Sequence, residues 1–519
     1  MPGSVARLLR GDPGRWAMGG ALAAFAAGLA LLTSAPQAAP AAARSQVRPT
    51  ISASGEHPCA ISGGRAYCWG NNNDGELGDG TTVSASVPVA VNTSGALAGK
   101  TLIEVTTGDS LDTCALDTAG AAYCWGNGAL GLLGDGSTIS STLPVAVQTS
   151  GVLAGKTLTQ ISAGYNETCA LDSAGAAFCW GNNNDGELGD GSTTASSVPV
   201  AVSTSGVLAG KTLTQISAGF LQVCAVDTTG VAYCWGFNGS GQLGHPGLSD
   251  SDVPVAVDRG GVLAGKRLTQ ISAGFLQVCA VDSTGLGYCW GNDSYGQLGD
   301  GTIASSDVPV AVTSRGVLAG KALTQISTNF YQTCAVDSVG VAFCWGGNPD
   351  GELGNSTTKN SDVPVAVNAS GVLAGQAMAQ ISSGDNNTCT LGRIGAAYCW
   401  GSNEHGQLGD GTAALGSNVP VAVTSFGSRP PQPPSHVTAK AGNTSAAVSW
   451  KGPASLGSGT LTGYMATATP RGRTCSTRKA TTCTIRYLVN GTIYRITVIT
   501  RTSTSHSVAS APATVTPRG

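Results

Sequence analysis

A cysteine-containing phrase recurs seven times along this chain at a constant spacing. Its first cysteine stands 55 residues from the next at every step, at Cys59, Cys114, Cys169, Cys224, Cys279, Cys334 and Cys389. Such a period is typical of repeat architectures, in which each copy is one supersecondary unit that buries its apolar faces only against its neighbours. A residue present in every copy is therefore explained first by architecture, and function is expected where the copies differ.

The third copy, residues 157–202, predicts four short strands. Two of them, residues 169–172 and 176–180, flank a three-residue hairpin loop that ends on a glycine. This register places Cys169 opposite Cys179 at a non-hydrogen-bonded pair, where α-carbons approach most closely. A cross-strand disulfide is feasible at such a pair.

The first copy tests this register, because Cys59 and Cys68 are separated by one residue fewer. Its turn shortens to the two-residue loop Gly63-Gly64, which again brings the two cysteines opposite each other. We therefore predict eight local disulfides: Cys59–Cys68, Cys114–Cys124, Cys169–Cys179, Cys224–Cys234, Cys279–Cys289, Cys334–Cys344, Cys389–Cys399 and Cys475–Cys483. Zinc is the competing interpretation, but the spacing lacks the C-x2-C knuckle and there is no histidine complement.

The fourth strand of every copy contains a proline, at Pro88, Pro144, Pro199, Pro254, Pro309, Pro364 and Pro420. Proline cannot donate to a ladder, so this strand is expected at a sheet edge. A four-stranded sheet with one exposed edge and two apolar faces is a propeller blade packed between its neighbours. The predicted fold is all-β, a seven-bladed β-propeller followed by a small β-sandwich.

The segment W-G-x-N-x-x-G-[QE]-L-G-D-G, at residues 180–191 and, with Asp293 in place of the asparagine, at residues 290–301, resembles the repeat of the regulator of chromosome condensation family. The resemblance covers about three quarters of the chain and implies a seven-bladed propeller. Copies two, four and six depart from it locally, for example at His245-Pro246 and Asn355-Ser356. In that family, similar propellers exchange nucleotide on a small GTPase in nuclei, and secreted bacterial relatives inhibit β-lactamases through one face of the disc.

The last 90 residues resemble a fibronectin type III sandwich. Trp450 is expected in its core and Tyr494 at its tyrosine corner, after the Asn490-Gly491 turn. The predicted domains are a signal peptide (1–43), the propeller (44–427), a proline-rich linker (428–435) and the sandwich (436–519). Three leading arginines, an uncharged run and small-residue cleavage sites indicate the signal peptide; an uncleaved membrane anchor is the alternative.

Charge is segregated between the two modules. Residues 44–429 hold 29 acidic and 14 basic side chains, whereas residues 430–519 hold 10 basic side chains and no Asp or Glu. We expect the sandwich to attract an anionic wall polymer, membrane surface or nucleic acid, and improved solubility is the alternative interpretation. The candidates for this anionic-surface contact are Arg471, Arg473, Arg478, Lys479 and Arg486.

No catalytic constellation is found in the sequence, and no cofactor or metal is expected. The five histidines, His57, His245, His405, His436 and His506, are scattered over different copies and are interpreted as solvated or turn residues. Most acids recur with the repeat, as Asp117 and Asp79 do, which indicates that they serve turns. The run 71–75 hints at a calcium loop, but the ligand register and distant glutamate of that motif are missing.

The informative variation lies between the first and second strands of each copy. Four consecutive copies place aromatic residues there, and the loop is expected on one face of the disc near the central channel. The partner-binding candidates are Tyr165, Phe220, Leu221, Phe275, Leu276, Phe330 and Tyr331. The alternative is that the rings fill the channel as core.

The predicted function is a secreted or cell-surface, non-catalytic binding scaffold that engages a macromolecular partner through one propeller face. The partner is expected to be an extracellular protein or a cell-wall polymer, and the protein a monomer. An enzyme or accessory module for extracellular polysaccharide degradation is the alternative, favoured by the sandwich, which resembles those attached to secreted hydrolases. Guanine-nucleotide exchange is implied by the resemblance and disfavoured by export and disulfides.

Overall fold

The computed structural model describes residues 50–519, with gaps at 54, 425, 427–432, 455, 457–460, 503–506 and 508. The predicted signal peptide and most of the predicted linker, together with His506, lie outside the described residues. Within these limits, no helix is long and apolar enough to span a membrane.

Seven antiparallel four-stranded sheets account for the repeats in the described residues, each with its strands in chain order, here called a, b, c and d. Strands a are Ile51–Ser52, Leu102–Thr107, Leu158–Ala163, Leu213–Ala218, Leu268–Ala273, Leu323–Asn329 and Met378–Ser383. Strands b are Cys59–Ser62, Asp112–Asp117, Glu167–Asp172, Gln222–Asp227, Gln277–Asp282, Gln332–Asp337 and Asn387–Gly392.

Strands c are Arg65–Gly70, Ala122–Gly126, Ala177–Gly181, Ala232–Gly236, Gly287–Gly291, Ala342–Gly346 and Ala397–Ser402. Strands d, which carry the prolines, are Ala85–Ala90, Ser141–Ala146, Ser196–Ala201, Ser251–Ala256, Ser306–Ala311, Ser361–Ala366 and Gly416–Ala422. Each strand d lies at a sheet edge, as the missing proline N–H predicts. Short 3-10 turns occur at Gly95–Leu97, Ala129–Gly131, Gly151–Leu153, Gly206–Leu208, Gly261–Leu263, Gly316–Leu318 and Gly371–Leu373.

The b–c hairpins have the register expected from the turn lengths. Cys169 pairs with Cys179 and Leu171 with Ala177, and Cys59 pairs with Cys68 across the shorter turn. All eight predicted pairs are disulfides, and in the seven blades the bridged α-carbons lie 4.0–4.1 Å apart. The bridges therefore link the two central strands of each blade without joining one blade to another.

A tryptophan at the end of each strand c links each blade to the preceding one. The buried indole N–H of Trp235 donates to the carbonyl of Glu187, 2.8 Å away, and six equivalent bonds run around the ring. A Cβ on Gly189 would lie 2.7 Å from Trp235 Nε1, and this glycine has a φ of +64°. Only glycine fits where the next blade's indole packs so closely, which explains the recurring L-G of the repeat.

The innermost strands are joined by side chains as well. Gln160 donates to the carbonyl of Ile216 and accepts its N–H, both at 3.0 Å, and the other copies repeat parts of this pattern. Apolar side chains fill the space between blades; Leu171 of one blade and Val223 of the next belong to one buried cluster. Both faces of a blade are thus apolar, as predicted.

The C-terminal module consists of two sheets. One contains Ser435–Gly442, Ser445–Lys451 and Thr482–Arg486, and the other contains Arg473–Thr477, Leu461–Thr469, Tyr494–Thr502 and Ala513–Val515. Trp450 and Tyr494 are buried in its core. The Tyr494 hydroxyl accepts the N–H of Val489 at 3.1 Å, which is the expected tyrosine corner.

Candidate binding face

The aromatic residues of the a–b loops form one continuous stack across four blades, here called the aromatic arc. Ring centroids are separated by 4.4 Å from Tyr165 to Phe220, 4.0 Å from Phe220 to Phe275 and 4.5 Å from Phe275 to Phe330. Tyr331 packs edge-on against Phe330 at 4.4 Å. All five rings, and the neighbouring Leu221 and Leu276, are partly exposed.

Backbone contacts between blades hold these rings in line. The N–H of Tyr165 donates to the carbonyl of Gly219 at 2.8 Å, and Phe220 N–H donates likewise to Gly274 at 3.0 Å. A Cβ on Gly164 would lie 2.4 Å from the Gly219 carbonyl oxygen, so the loops overlap only because glycine precedes the ring. The loops of blades three and four thus rest on the loop of the next blade, which places consecutive rings in contact.

Two acids replace the rings at the corresponding positions of blades two and seven. Asp109 and Asp385 both accept from the side-chain amide of Asn329, at 3.1 and 3.3 Å, and Asp109 also accepts the N–H of Gly55 at 2.7 Å. Burial raises the pKa of both carboxyl groups, and the proximity of Asp109 raises the pKa of Asp385 further. The edge formed by the a–b loops, here called the rim, is therefore aromatic in blades three to six and acidic in blades two and seven.

A layer of buried polar side chains lies beneath the rim, two residues before each leading cysteine. Its members are His57, Asp112, Glu167, Gln222, Gln277, Gln332 and Asn387. The interpretation of His57 as a solvated or turn histidine is wrong: its Nε2 lies 3.0 Å from Thr113 Oγ1 and 3.2 Å from the Asp112 carbonyl oxygen. Burial lowers the pKa of His57 to about 4, so it is neutral at physiological pH.

Tyr295 joins the face although the sequence analysis did not select it. It lies in the c–d loop of blade five, and its ring centroid is 4.4 Å from that of Tyr331. The signal was present, because Tyr295 is the one aromatic residue at its position among the seven copies. A cavity of about 130 Å³ opens beside the two rings, lined by Tyr295, Tyr331, Gln332, Gly347, Pro349, Glu352, Asp385 and Asn386.

The recurring aspartates serve turns, as predicted. Asp227 Oδ1 accepts the N–H groups of Thr229 and Val231 in the b–c hairpin, and its other oxygen lies 3.5 Å from Lys211 Nζ. Burial alone would raise the pKa of Asp227, but the turn's hydrogen bonds outweigh it and lower that pKa. The hairpin aspartates thus have structural roles.

The basic candidates of the sandwich are exposed. Arg471, Arg473, Arg478, Lys479 and Arg486 all project into solvent, and no ion pair involves them within the described residues. Arg473 lies in one sheet and Arg486 in the other, near the two ends of the Cys475–Cys483 bridge. These cations are therefore available to an anionic surface.

Two family models match the sequence. The RCC1-like domain matches residues 23–312 and 148–464, and the fibronectin type III domain matches residues 431–516. Together they span both modules seen in the structure.

Similar proteins include plant and human representatives. The ultraviolet-B receptor UVR8 of Arabidopsis thaliana is 29% identical over 72% of this chain and 81% of its own. The human E3 ubiquitin-protein ligase HERC2 is 28% identical over 67% of this chain, which spans only 7% of that protein.

Solved structures show the same fold. Human WBSCR16 superposes with a TM-score of 0.60 at 21% identity, covering 71% of this chain and 95% of that one. Prp20p of Saccharomyces cerevisiae gives 0.59 at 20% identity, covering 69% and 85%. At this level of identity the likeness concerns the propeller architecture alone.

Proposed function

This chain belongs to the family of proteins with an RCC1-like domain, and from that membership we propose that it is a non-catalytic binding protein. It is secreted or displayed at the cell surface, and its propeller face holds an extracellular protein or a cell-wall polymer. The proposal rests chiefly on the aromatic arc, because blades three to six place stacked and partly exposed rings where blades two and seven carry Asp109 and Asp385.

The arc has the properties of an interface centre. Aromatic side chains supply large contact area at low conformational cost and dominate binding hot spots. The rings of Phe220 and Phe275 pack against each other, and both keep part of their surface exposed. A partner that covers them gains apolar burial without rearrangement of the fold.

Export is supported by the cysteine usage. Sixteen cysteines form eight disulfides with no free thiol among the described residues. Structural disulfides persist in oxidising compartments and are rare in the cytosol. The solved structure of Prp20p was described with its binding to Gsp1p and histones, which supports protein binding by an RCC1-like propeller but concerns that protein.

The test is a double substitution in the centre of the arc. Phe220→Ala with Phe275→Ala is expected to weaken binding of a partner, isolated from the producing cell's envelope or culture fluid, by about 2 kcal/mol or more. Ile303→Ala is the control, because Ile303 is an exposed aliphatic residue in a c–d loop and not part of the arc. Unchanged affinity with a large fall in melting temperature would show that the rings are core.

Enzymatic activity is tested separately. Release of reducing sugars from cell-wall or plant glycans by the purified protein would favour the polysaccharide-degrading alternative. No release is expected, because the recurring aspartates of the hairpins serve turns.

A second candidate function is surface anchoring by the sandwich. The observation that favours it is the exposure of its arginines in a module that contains no Asp or Glu. Removal of residues 430–519 is expected to reduce retention on anionic cell envelopes, with a retention that falls as salt rises. Equal retention of the full-length and truncated proteins at low salt would exclude the anchoring role.

A further inference from the structure

The c–d loop of blade six differs from its counterparts at one position beside the cavity. In blade three, Asn182 Nδ2 donates to Glu187 Oε1 at 2.7 Å, and in blade five Asn292 and Gln297 form the equivalent bond at 2.9 Å. In blade six a glycine, Gly347, replaces the asparagine while the acid is kept as Glu352. The side-chain hydrogen bond of blades three and five is therefore absent in blade six.

Glu352 retains only part of its hydrogen bonding. Its Oε2 accepts the N–H of Asp350 at 2.9 Å, and no side chain among the described residues donates to Oε1. The residue is only 3% exposed, yet it lines the cavity that Gly347 leaves open. The carboxylate therefore keeps acceptor capacity beside the cavity, which a ligand with an N–H group would use.

A second acceptor belongs to a residue that lines the same cavity. Gln332 lines the cavity, is 1% exposed, and has no partner for its Oε1 among the described residues. In Gln222 the same oxygen accepts the N–H of Leu221 at 3.2 Å. Blade six thus contributes a carboxylate and an amide oxygen to the cavity lining, next to the carboxyl group of Asp385.

The aromatic side of the cavity adds a surface for a planar cation. The rings of Tyr295 and Tyr331 lie 4.4 Å apart at an interplanar angle of 34° and border the cavity. A guanidinium is planar, stacks on aromatic faces and carries five N–H donors, so one group serves several acceptors at once. A volume of about 130 Å³ accommodates the end of one such side chain.

We propose that this cavity, between blades five, six and seven, is a binding site for a guanidinium group, held by Glu352, Gln332 and Asp385 and stacked on Tyr331. The inference rests on the proposed binding function and specifies the partner's contact surface. The partner presents an arginine side chain next to apolar residues that cover the aromatic arc. The site lies where the aromatic and acidic parts of the rim meet.

Binding is expected to depend on pH. Burial raises the pKa of Glu352 to about 7, and the charge of Asp350 acts in the same direction. The other titratable groups that line the cavity are Asp385, whose pKa is also raised, and the two tyrosines. A cation prefers the ionised carboxylate, so affinity should rise with pH through about 7 and fall about tenfold per unit below it.

The experiment is a calorimetric titration of the whole protein with Nα-acetylarginine amide and, separately, with its neutral isostere Nα-acetylcitrulline amide. The arginine compound is expected to bind above pH 7 and at least about tenfold more tightly than the citrulline compound. Equal binding of the two, or no binding of either, would overturn the proposal. Because this readout needs no natural partner, its failure would leave the proposed role of the aromatic arc standing.

Two substitutions taken from the chain's own repeats provide the variants. Glu352→Gln introduces the residue found at Gln242 and Gln297, and Gly347→Asn restores the asparagine of blade three. Both are expected to fold, with a Cβ at position 347 placed 3.0 Å from Tyr331 Cβ, and both should lose at least about tenfold in arginine-compound affinity. Glu187→Gln is the matched control, because its acid is already paired, and it should bind as the wild type does. Wild-type affinity in Glu352→Gln would contradict the proposal.

Discussion

Trp69 donates its indole N–H to the carbonyl of Gln407, 2.9 Å away, and so joins the first blade to the seventh across 338 residues of chain. Each of these two blades is built from consecutive strands, and no strand is shared between them. Side-chain contacts therefore close the ring. They include Ser382 Oγ, which accepts the N–H of Ala53 at 3.0 Å, and Phe426, whose ring lies 5.8 Å from Trp69.

Substitution of Trp69 tests this closure. Trp69→Phe leaves the Gln407 carbonyl without its buried donor and is expected to lower the free energy of unfolding by about 2 kcal/mol. Trp235→Phe removes the equivalent bond between blades that the chain itself connects, so it should cost less. Urea unfolding under non-reducing conditions, which keep the disulfides intact, measures both, and an equal loss in the two variants would contradict a special role for closure.

Phe426 gives an independent test at the same junction. Its ring is 5% exposed and packs on Tyr67 and Trp69 of the first blade. Phe426→Ala is expected to cost about 3 kcal/mol of unfolding free energy, the usual scale for a buried ring. A loss below about 1 kcal/mol, within the range of surface substitutions, would show that this contact does not hold the ring closed.

Glu104 provides a pH-dependent prediction. It stands where blades three to seven have glutamine, and burial raises its pKa to about 8. A folded-state pKa above the unfolded value means that the group favours folding at low pH, with that contribution lost as pH rises from about 4.5 to 8. Glu104→Gln should therefore raise the melting temperature clearly at pH 9 and little at pH 5. A gain independent of pH would contradict this assignment.

Each hairpin ion pair joins a buried acid to a more exposed base, so the two partners can be tested separately. Asp227→Ala leaves the turn N–H groups of Thr229 and Val231 without their acceptor and is expected to lower the free energy of unfolding by about 2 kcal/mol. Lys211→Ala removes a partly exposed ion pair, which solvent screens, and is expected to cost less than Asp227→Ala does. Because the pKa of Asp227 is lowered in the fold, its contribution is present above the unfolded pKa of 3.8 and disappears as pH falls through the folded value. The difference in unfolding free energy between the two variants, measured by chemical unfolding, should become smaller at low pH.

The cross-strand disulfides are expected to act singly. Replacing Cys224 and Cys234 together by serine removes the cross-link between two residues ten positions apart. The free energy of unfolding should fall by about 3 kcal/mol by the chain-entropy estimate. The other blades keep their bridges, so the variant should retain the propeller's circular dichroism spectrum. Non-reducing peptide mapping that found cross-blade links in the native protein would refute the local pairing.

The sequence by itself determined the blades, their registers and their disulfides, because those depend on residues close together in the chain. A hairpin turn of known length aligns Cys169 with Cys179, and a proline in every fourth strand places that strand at an edge. The candidate rings were also found from sequence, since they occur at one position of a repeating unit.

Only the tertiary structure decided how those positions meet around the ring. Asn329 reaches Asp109, 220 residues away, because closure brings blades six, seven and two to one side of the channel. The burial of His57 and the cavity beside Glu352 depend likewise on side chains contributed by neighbouring loops. Periodicity specifies which residues are equivalent; the curvature of the closed ring, set by packing between blades, determines which of them touch.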